Sequence, residues 1–408
     1  MMKPAVRFQL SVMMFLEFFI WGAWFVTLGT FLINNLSASG AEAGQVFSTQ
    51  SWGAIIAPFI IGLIADRFIN AEKILGVLHL VGALLMYQMY KAGSVGSFYP
   101  YVLAYMIAYM PTLALVNSVS FNQMSNPEKE FSIIRVFGTV GWIAAGLMIS
   151  YLFHWDSEQG TKDGLLKNTF LLSGGASLLL GLFSFTLPKT PPKAKGATVT
   201  VSDILGLDAL KLLKDKNFFI FFISSILICI PLAFYYQNTN SFLSTIGVSN
   251  PTGKMTIGQA SEVLFLLLLP VFFNRFGFKK TILVGMLAWA LRYVLFAYGN
   301  AGDLAFMLLI GIALHGICYD FFFVSGQIYT DSKAGEQHKS AAQGLITLAT
   351  YGVGMLIGFA VAGKITDAYK AADGTFDYKM IWMIPAGIAF AVFLVFALLF
   401  KNEKTAKA

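Results

Sequence analysis

The sequence predicts an all-α polytopic membrane protein with twelve transmembrane helices in two halves of six, and three observations predict it. The chain is 57% hydrophobic and only 12% charged, with a mean hydropathy of +0.70. That leaves too little polar surface to cover a soluble globule of 408 residues. The apolar residues are gathered into runs long enough to cross roughly 30 Å of hydrocarbon. A lysine-rich, proline-broken connection falls midway, and related sequence follows the second run of each half.

Taken in order, the first run, 8–34, follows Lys3 and Arg7 and lacks the short apolar core and small-residue cleavage site of a removable signal. It reads as a retained helix. Runs 46–65, 74–91, 98–121, 134–153 and 168–187 complete the first half. The connection from Pro188 to Lys216 holds six lysines and the breaker run Pro188-Lys189-Thr190-Pro191-Pro192. The expected domains are therefore 1–187 and 217–408, joined by a cytoplasmic loop at 188–216. Runs 217–245, 256–274, 280–298, 304–329, 341–363 and 380–400 form the second half. Pro111, Pro231 and Pro270 lie inside runs, where a missing amide donor favours bending.

The halves repeat in sequence. Asp66-Arg67-Phe68 with Ile74-Leu75 recurs 208 residues later as Asn274-Arg275-Phe276 with Ile282-Leu283, as expected of two related bundles joined head to tail. An even number of spans puts both termini on one side. Of 28 Lys and Arg residues, 19 fall in the termini and even-numbered loops, 7 in the odd-numbered loops, and Arg135 and Arg292 lie within spans. The positive-inside rule then makes both termini cytoplasmic.

Several function classes are excluded. The net charge of +7 resides in short loops between spans, as an orientation signal would, so no nucleic-acid partner is expected. Cys229 and Cys318 sit inside apolar runs without metal-ligand spacing, and no metal or other cofactor is called for. There is no zinc-protease histidine pair, nucleophile elbow or phosphate-cradling glycine loop, so the chain reads as no enzyme and as having no ATP site.

Function is expected where ionisable groups interrupt the spans. Asp320 sits in Leu314-His315-Gly316-Ile317-Cys318-Tyr319-Asp320-Phe321-Phe322-Phe323. An acidic residue at a helix centre costs about 2.5–3.5 kcal/mol on insertion scales, so one that persists marks a path or a partner. Arg135 and Thr139 share a helical face at a spacing of four, and Gln259 and Glu262 share another at a spacing of three. Each pair could instead be a helix–helix hydrogen bond. Glu17 lies beside Trp21 and Trp24. His79 and His315 read as neutral interior histidines, and Arg292 as a brace. A buried carboxylate suits proton coupling, and sodium is the other ion that residue type could follow. Asp320, Glu262 and Glu17 are the candidates to carry the proton.

A flat base joined to a polyhydroxy sugar needs aromatic faces together with amide, hydroxyl and carboxylate partners, which these residues supply. Sugars or peptidoglycan fragments would also suit them. A membrane sensor or receptor is the reading from another class, and it would be favoured by an appended soluble domain.

The assembled residues resemble the nucleoside:proton symporter family of the major facilitator superfamily, the bacterial nucleoside permeases. The resemblance rests on Glu17-Phe18-Phe19-Ile20-Trp21-Gly22-Ala23-Trp24 with Thr27-Leu28-Gly29, on Ala108-Tyr109-Met110-Pro111-Thr112-Leu113, and on the Arg135 stretch. It continues through Leu205-Gly206-Leu207-Asp208-Ala209, Gln259 to Glu262, Leu291 to Gly299 and Tyr319-Asp320-Phe321-Phe322. Gly62-Leu63-Ile64-Ala65-Asp66-Arg67 resembles the superfamily's cytoplasmic loop motif.

The resemblance implies the major facilitator fold and import of nucleosides with protons across the bacterial inner membrane. Nucleoside, protons and membrane lipid are the implied partners of a monomer. It further implies that Arg135, Thr139, Gln259, Glu262 and Asp320 face the substrate, with Tyr319 beside them. On the seventh helix this chain carries Ala233 and Tyr236 where the family has a glutamine and an asparagine, with Gln237 and Asn238 shifted along. Tyr236 and Gln237 are taken as that helix's contribution, and the identity of the base is not carried over.

Overall fold

The computed structural model describes residues 2–60, 68–125, 127–192, 207–334 and 339–402. Asp66-Arg67 and Leu205-Gly206 lie outside the described residues. Among the described residues the regular elements are helices, and pairing of extended backbone is confined to the Lys370–Phe376 bridge.

Ten segments are long and apolar enough to cross a membrane. They supply α1 (Pro4–Asn35), α3 (Ala71–Lys91), α4 (Val95–Asn122), α5 (Glu130–Leu152), α6 (Leu165–Ser184), α7 (Lys216–Thr245), α10 (Ala305–Ala334), α11 (Ala341–Ala368) and α12 (Tyr378–Leu399). The tenth, Pro251–Tyr298, runs for 48 residues but breaks at Gly277, whose φ of 75° and ψ of 173° suit only a residue without a side chain. It is therefore two helices, α8 (251–276) and α9 (278–298). The remaining long helix among the described residues is α2 (Gly40–Ile60), whose Gly, Ser, Thr and Gln content lowers its hydropathy. Among the described residues these make twelve long helices, of which α2 alone is not within a segment long and apolar enough to cross a membrane.

The start of α2 lies six residues earlier than hydropathy predicts. The reason is a capping box: Glu42 Oε2 accepts the Ser39 amide at 2.8 Å, and Ser39 Oγ accepts the Glu42 amide at 3.1 Å. Hydropathy registers apolar side chains and is blind to such a cap.

The described residues form two compact units, one of Met1–Ala38, Thr49–Thr200 and Ser249–Thr256, the other of Ser39–Ser48, Val201–Val248 and Ile257–Ala408. In the first unit α1 packs on α5 and α6, and α3 on α4 and α6. Gly141 lets α5 lie against the Phe15 backbone, a place that a Cβ would fill. Trp24, Phe31, Phe98 and Phe170 fill the interior with tilted and edge-on rings. The first turn of α8 is held in this unit, where Asp156 Oδ2 accepts the Thr252 amide at 2.9 Å and Ser150 Oγ accepts that of Gly253 at 2.7 Å.

In the second unit α7 packs on α11 and α12. Trp382 stacks on Tyr293 with ring centres 5.5 Å apart and meets Phe296 and Phe242 edge-on. The first turn of α2 belongs here, its Gly40 and Ala41 amides donating to Asp367 at 2.6 and 2.8 Å. α10 and α11 each contain a π-helical turn, Asp320–Val324 and Leu348–Gly354. Such turns insert an extra residue and re-aim side chains, frequently at functional sites.

Candidate functional site

Each unit carries a polar cluster inside its apolar interior. In the first, Glu17 on α1 is 0% exposed and His79 on α3 is 2% exposed. Glu17 Oε2 lies 2.8 Å from His79 Nε2, and the Thr112 hydroxyl on α4 lies 2.6 Å from Glu17 Oε1 and also against the Tyr109 carbonyl. The hydroxyl of Tyr109 donates to the Glu17 carbonyl at 2.7 Å. Sequence reasoning had set these residues apart, and helix packing joins them.

Arg135 and Thr139 on α5 are both half-buried, one helical turn apart as the spacing predicted. The Arg135 guanidinium sits over the Phe18 ring, 4.2 Å from its centre. That stacking holds the fork while leaving its edge donors in the ring plane for an acceptor. Gln50 on α2 is buried, and neither atom of its amide has a hydrogen-bond partner among the described residues. Sequence reasoning missed it. Its signal was a lone amide in the run 46–65, and such groups call for a partner from solvent or a ligand.

In the second unit Glu262 on α8, Arg292 on α9, His315 on α10 and Tyr235 on α7 form a chain. Arg292 is 0% exposed, lies 3.9 Å from the centre of the Tyr235 ring and donates through Nε to the Gly311 carbonyl at 3.1 Å. Its Nη1 is 3.3 Å from His315 Nδ1. A guanidinium only donates, so Nδ1 accepts and the imidazole proton sits on Nε2. Nε2 faces Glu262 Oε2 at 3.9 Å. The residue read as a brace thus sets the tautomer of the histidine that faces Glu262, whose side chain is 23% exposed. Gln259, one turn earlier, is half-buried.

Asp320 opens the π-helical turn of α10 and is 1% exposed, and its Oδ2 has no hydrogen-bond partner among the described residues. The energy of such a carboxylate depends strongly on whether it carries a proton. The adjacent Tyr319 hydroxyl bonds that of Tyr351, which lies in the π-helical turn of α11. Tyr236 is half-buried with its ring 5.8 Å from that of Tyr235. Gln237 is used differently, its Nε2 donating to the Gly40 carbonyl at 3.2 Å, and Asn238 bonds Thr366 at 3.1 Å. Within this unit, then, Glu262 joins Arg292 and His315, Tyr319 joins Tyr351, and Gln237 faces the start of α2.

Buried carboxylates, a stacked guanidinium and tyrosines within membrane helices are the parts of a polar-solute path. The comparison that decides the family covers nearly the whole chain: residues 3–405 match the family described as Nucleoside H+ symporter. The chain belongs to the nucleoside H+ symporter family. Like other members it is a proton-coupled nucleoside symporter of the major facilitator superfamily, a transporter and not an enzyme.

Among similar proteins, YegT of Escherichia coli K12 is 44% identical, with 98% of this chain and 95% of YegT covered. The xanthosine permease of the same organism is 35% identical over 97% of this chain and 96% of its own. The crystal structure of nucleoside transporter NupG superposes with a TM-score of 0.86 at 30% identity, covering 98% of this chain and 100% of that one.

Proposed function

We propose that this symporter imports nucleosides with protons by alternating access as a monomer of the bacterial inner membrane, with both termini cytoplasmic. Two six-helix bundles, 1–187 and 217–408, and a cytoplasmic loop at 188–216 would make up its architecture. Arg135 and Thr139 on α5, Tyr236 and Gln237 on α7, Gln259 and Glu262 on α8, and Tyr319 and Asp320 on α10 are the residues we assign to substrate. The observation that carries this reading is Asp320, a buried carboxylate with an unpartnered oxygen at the opening of a π-helical turn. An ion-coupled carrier needs a group whose free energy changes sharply on protonation. Glu262, facing a histidine and partly open to solvent, suits a sugar diol, which donates hydrogen bonds to a carboxylate.

The test is uptake by proteoliposomes. Radiolabelled adenosine, uridine and xanthosine are offered under an inward proton gradient, with fucose and sucrose as competitors. Accumulation should collapse with a protonophore and persist when sodium is replaced by choline. Melting shifts with the same compounds identify which one binds. Sodium dependence with protonophore resistance, or competition by sugars alone, would overturn the reading.

A further inference from the structure

The first unit contains a buried acid–imidazole pair that the roles above leave idle. Its hydrogen atoms can be counted. The Ser177 hydroxyl donates to the His79 carbonyl at 2.9 Å and so has no proton left for the imidazole. His79 Nδ1, 3.1 Å from the same hydroxyl, must therefore be the donor and carries a hydrogen. On the other side of the ring, Nε2 faces Glu17 Oε2 at 2.8 Å. Two lone pairs do not approach so closely, so one proton lies between them. With that proton the pair has no net charge; without it the carboxylate would face a bare nitrogen in an interior closed to water.

We propose that Glu17 and His79 share one proton and form a second proton-binding site of the symporter, in the first unit, distinct from Asp320. The inference rests on the proton-coupled reading above. The step is a proton transfer alone: H⁺ adds to the Glu17 carboxylate and His79 imidazole, making one N–H or O–H bond, and leaves by breaking it. The groups that face the pair are Tyr109 and Thr112 from α4, Ser177 from α6, and Tyr105, whose ring stacks on Tyr109 at 5.5 Å. The charged group beside them is Arg135 of α5, which sits on Phe18, the residue after Glu17. Protonation at Glu17 is thereby linked along α1 to a guanidinium assigned to substrate.

The variant that separates proton exchange from mere bonding is His79→Gln, whose amide still donates to Glu17 but takes up no proton. In proteoliposomes given radiolabelled adenosine, uridine and xanthosine, H79Q and E17Q should retain counterflow exchange. Both should lose about tenfold or more of gradient-driven accumulation. Nitrogen NMR of histidine-labelled protein gives a readout independent of transport, because the chain has four histidines and H79Q identifies the signal by its loss. In substrate-free protein the His79 signals should show Nδ1 protonated and Nε2 sharing its proton with an oxygen, and E17Q should move the Nε2 signal.

Wild-type accumulation and pH profile in both variants would overturn the transport role. An Nε2 signal that is the same in the wild-type protein and in E17Q would overturn the shared proton. If H79Q fails to fold, S177A and E17Q answer the same question, because S177A removes the Nδ1 acceptor and should move the Nδ1 signal, which identifies His79. If the wild-type protein accumulates none of the three nucleosides, the symport reading falls and the pair's transport role with it. The histidine signal would still decide whether the proton is shared.

Discussion

Glu262 faces His315 Nε2 at 3.9 Å, whereas Asp320 keeps an oxygen without a hydrogen-bond partner among the described residues. That difference assigns them different work. Glu262→Gln keeps the shape but loses the charge that strengthens hydrogen bonds from sugar hydroxyls, so affinity should fall about tenfold, while remaining transport stays sensitive to pH. Asp320→Asn mimics permanent protonation; uphill accumulation should vanish while binding and exchange remain measurable. Affinity and proton-driven uptake of both variants decide the matter, and the opposite pattern would exchange the roles. At this scale the sequence exposed the costly residues Asp320, Arg135 and Glu17, because a charge inside an apolar run stands out. It did not expose their partners. His79 lies 62 residues from Glu17, and Arg292 lies 23 from His315, separations at which only packing brings side chains together.

Helix ends carry the next scale. Asp215 caps α7, accepting the Phe218 amide at 2.8 Å and the Lys333 ammonium at 3.2 Å. Partial burial pushes its carboxyl up, but the Phe218 amide and Lys333 together outweigh burial and hold it below the usual carboxylate range. A carboxyl lowered on folding adds stability above its unfolded value, about 3.9, and loses it as pH falls through the lower folded value. Wild-type protein should therefore melt above Asp215→Asn at pH 7, and the margin should close as the buffer is acidified below about pH 4. A margin that grew on acidification would contradict the assignment. The same scale shows where hydropathy is blind: the Ser39–Glu42 box starts α2 among polar residues, and Gly277 divides one 48-residue helix into two. Both signals are present in the chain, but neither is a matter of apolar run length.

At the scale of the whole molecule, the 19 to 7 distribution of Lys and Arg sets the expected orientation. A reporter active only in the cytoplasm and fused after Ala408 should be active, and activity from an externally functioning reporter alone would overturn this orientation. The compact units do not follow the midpoint of the chain. Residues 39–48 cluster with the second unit and 249–256 with the first, because Asp367 holds the first turn of α2 and Asp156 that of α8.

By itself the sequence determined the membrane class, the all-helical architecture and the family, since each follows from composition, run length or motifs in order along the chain. Only the tertiary structure decided that Glu17 meets His79, that Arg292 sets the tautomer of His315, and that Gln237 bonds the Gly40 carbonyl. Those facts rest on which helix faces touch at distances near 3 Å, and nearly all-round apolar helices do not announce their faces in one dimension.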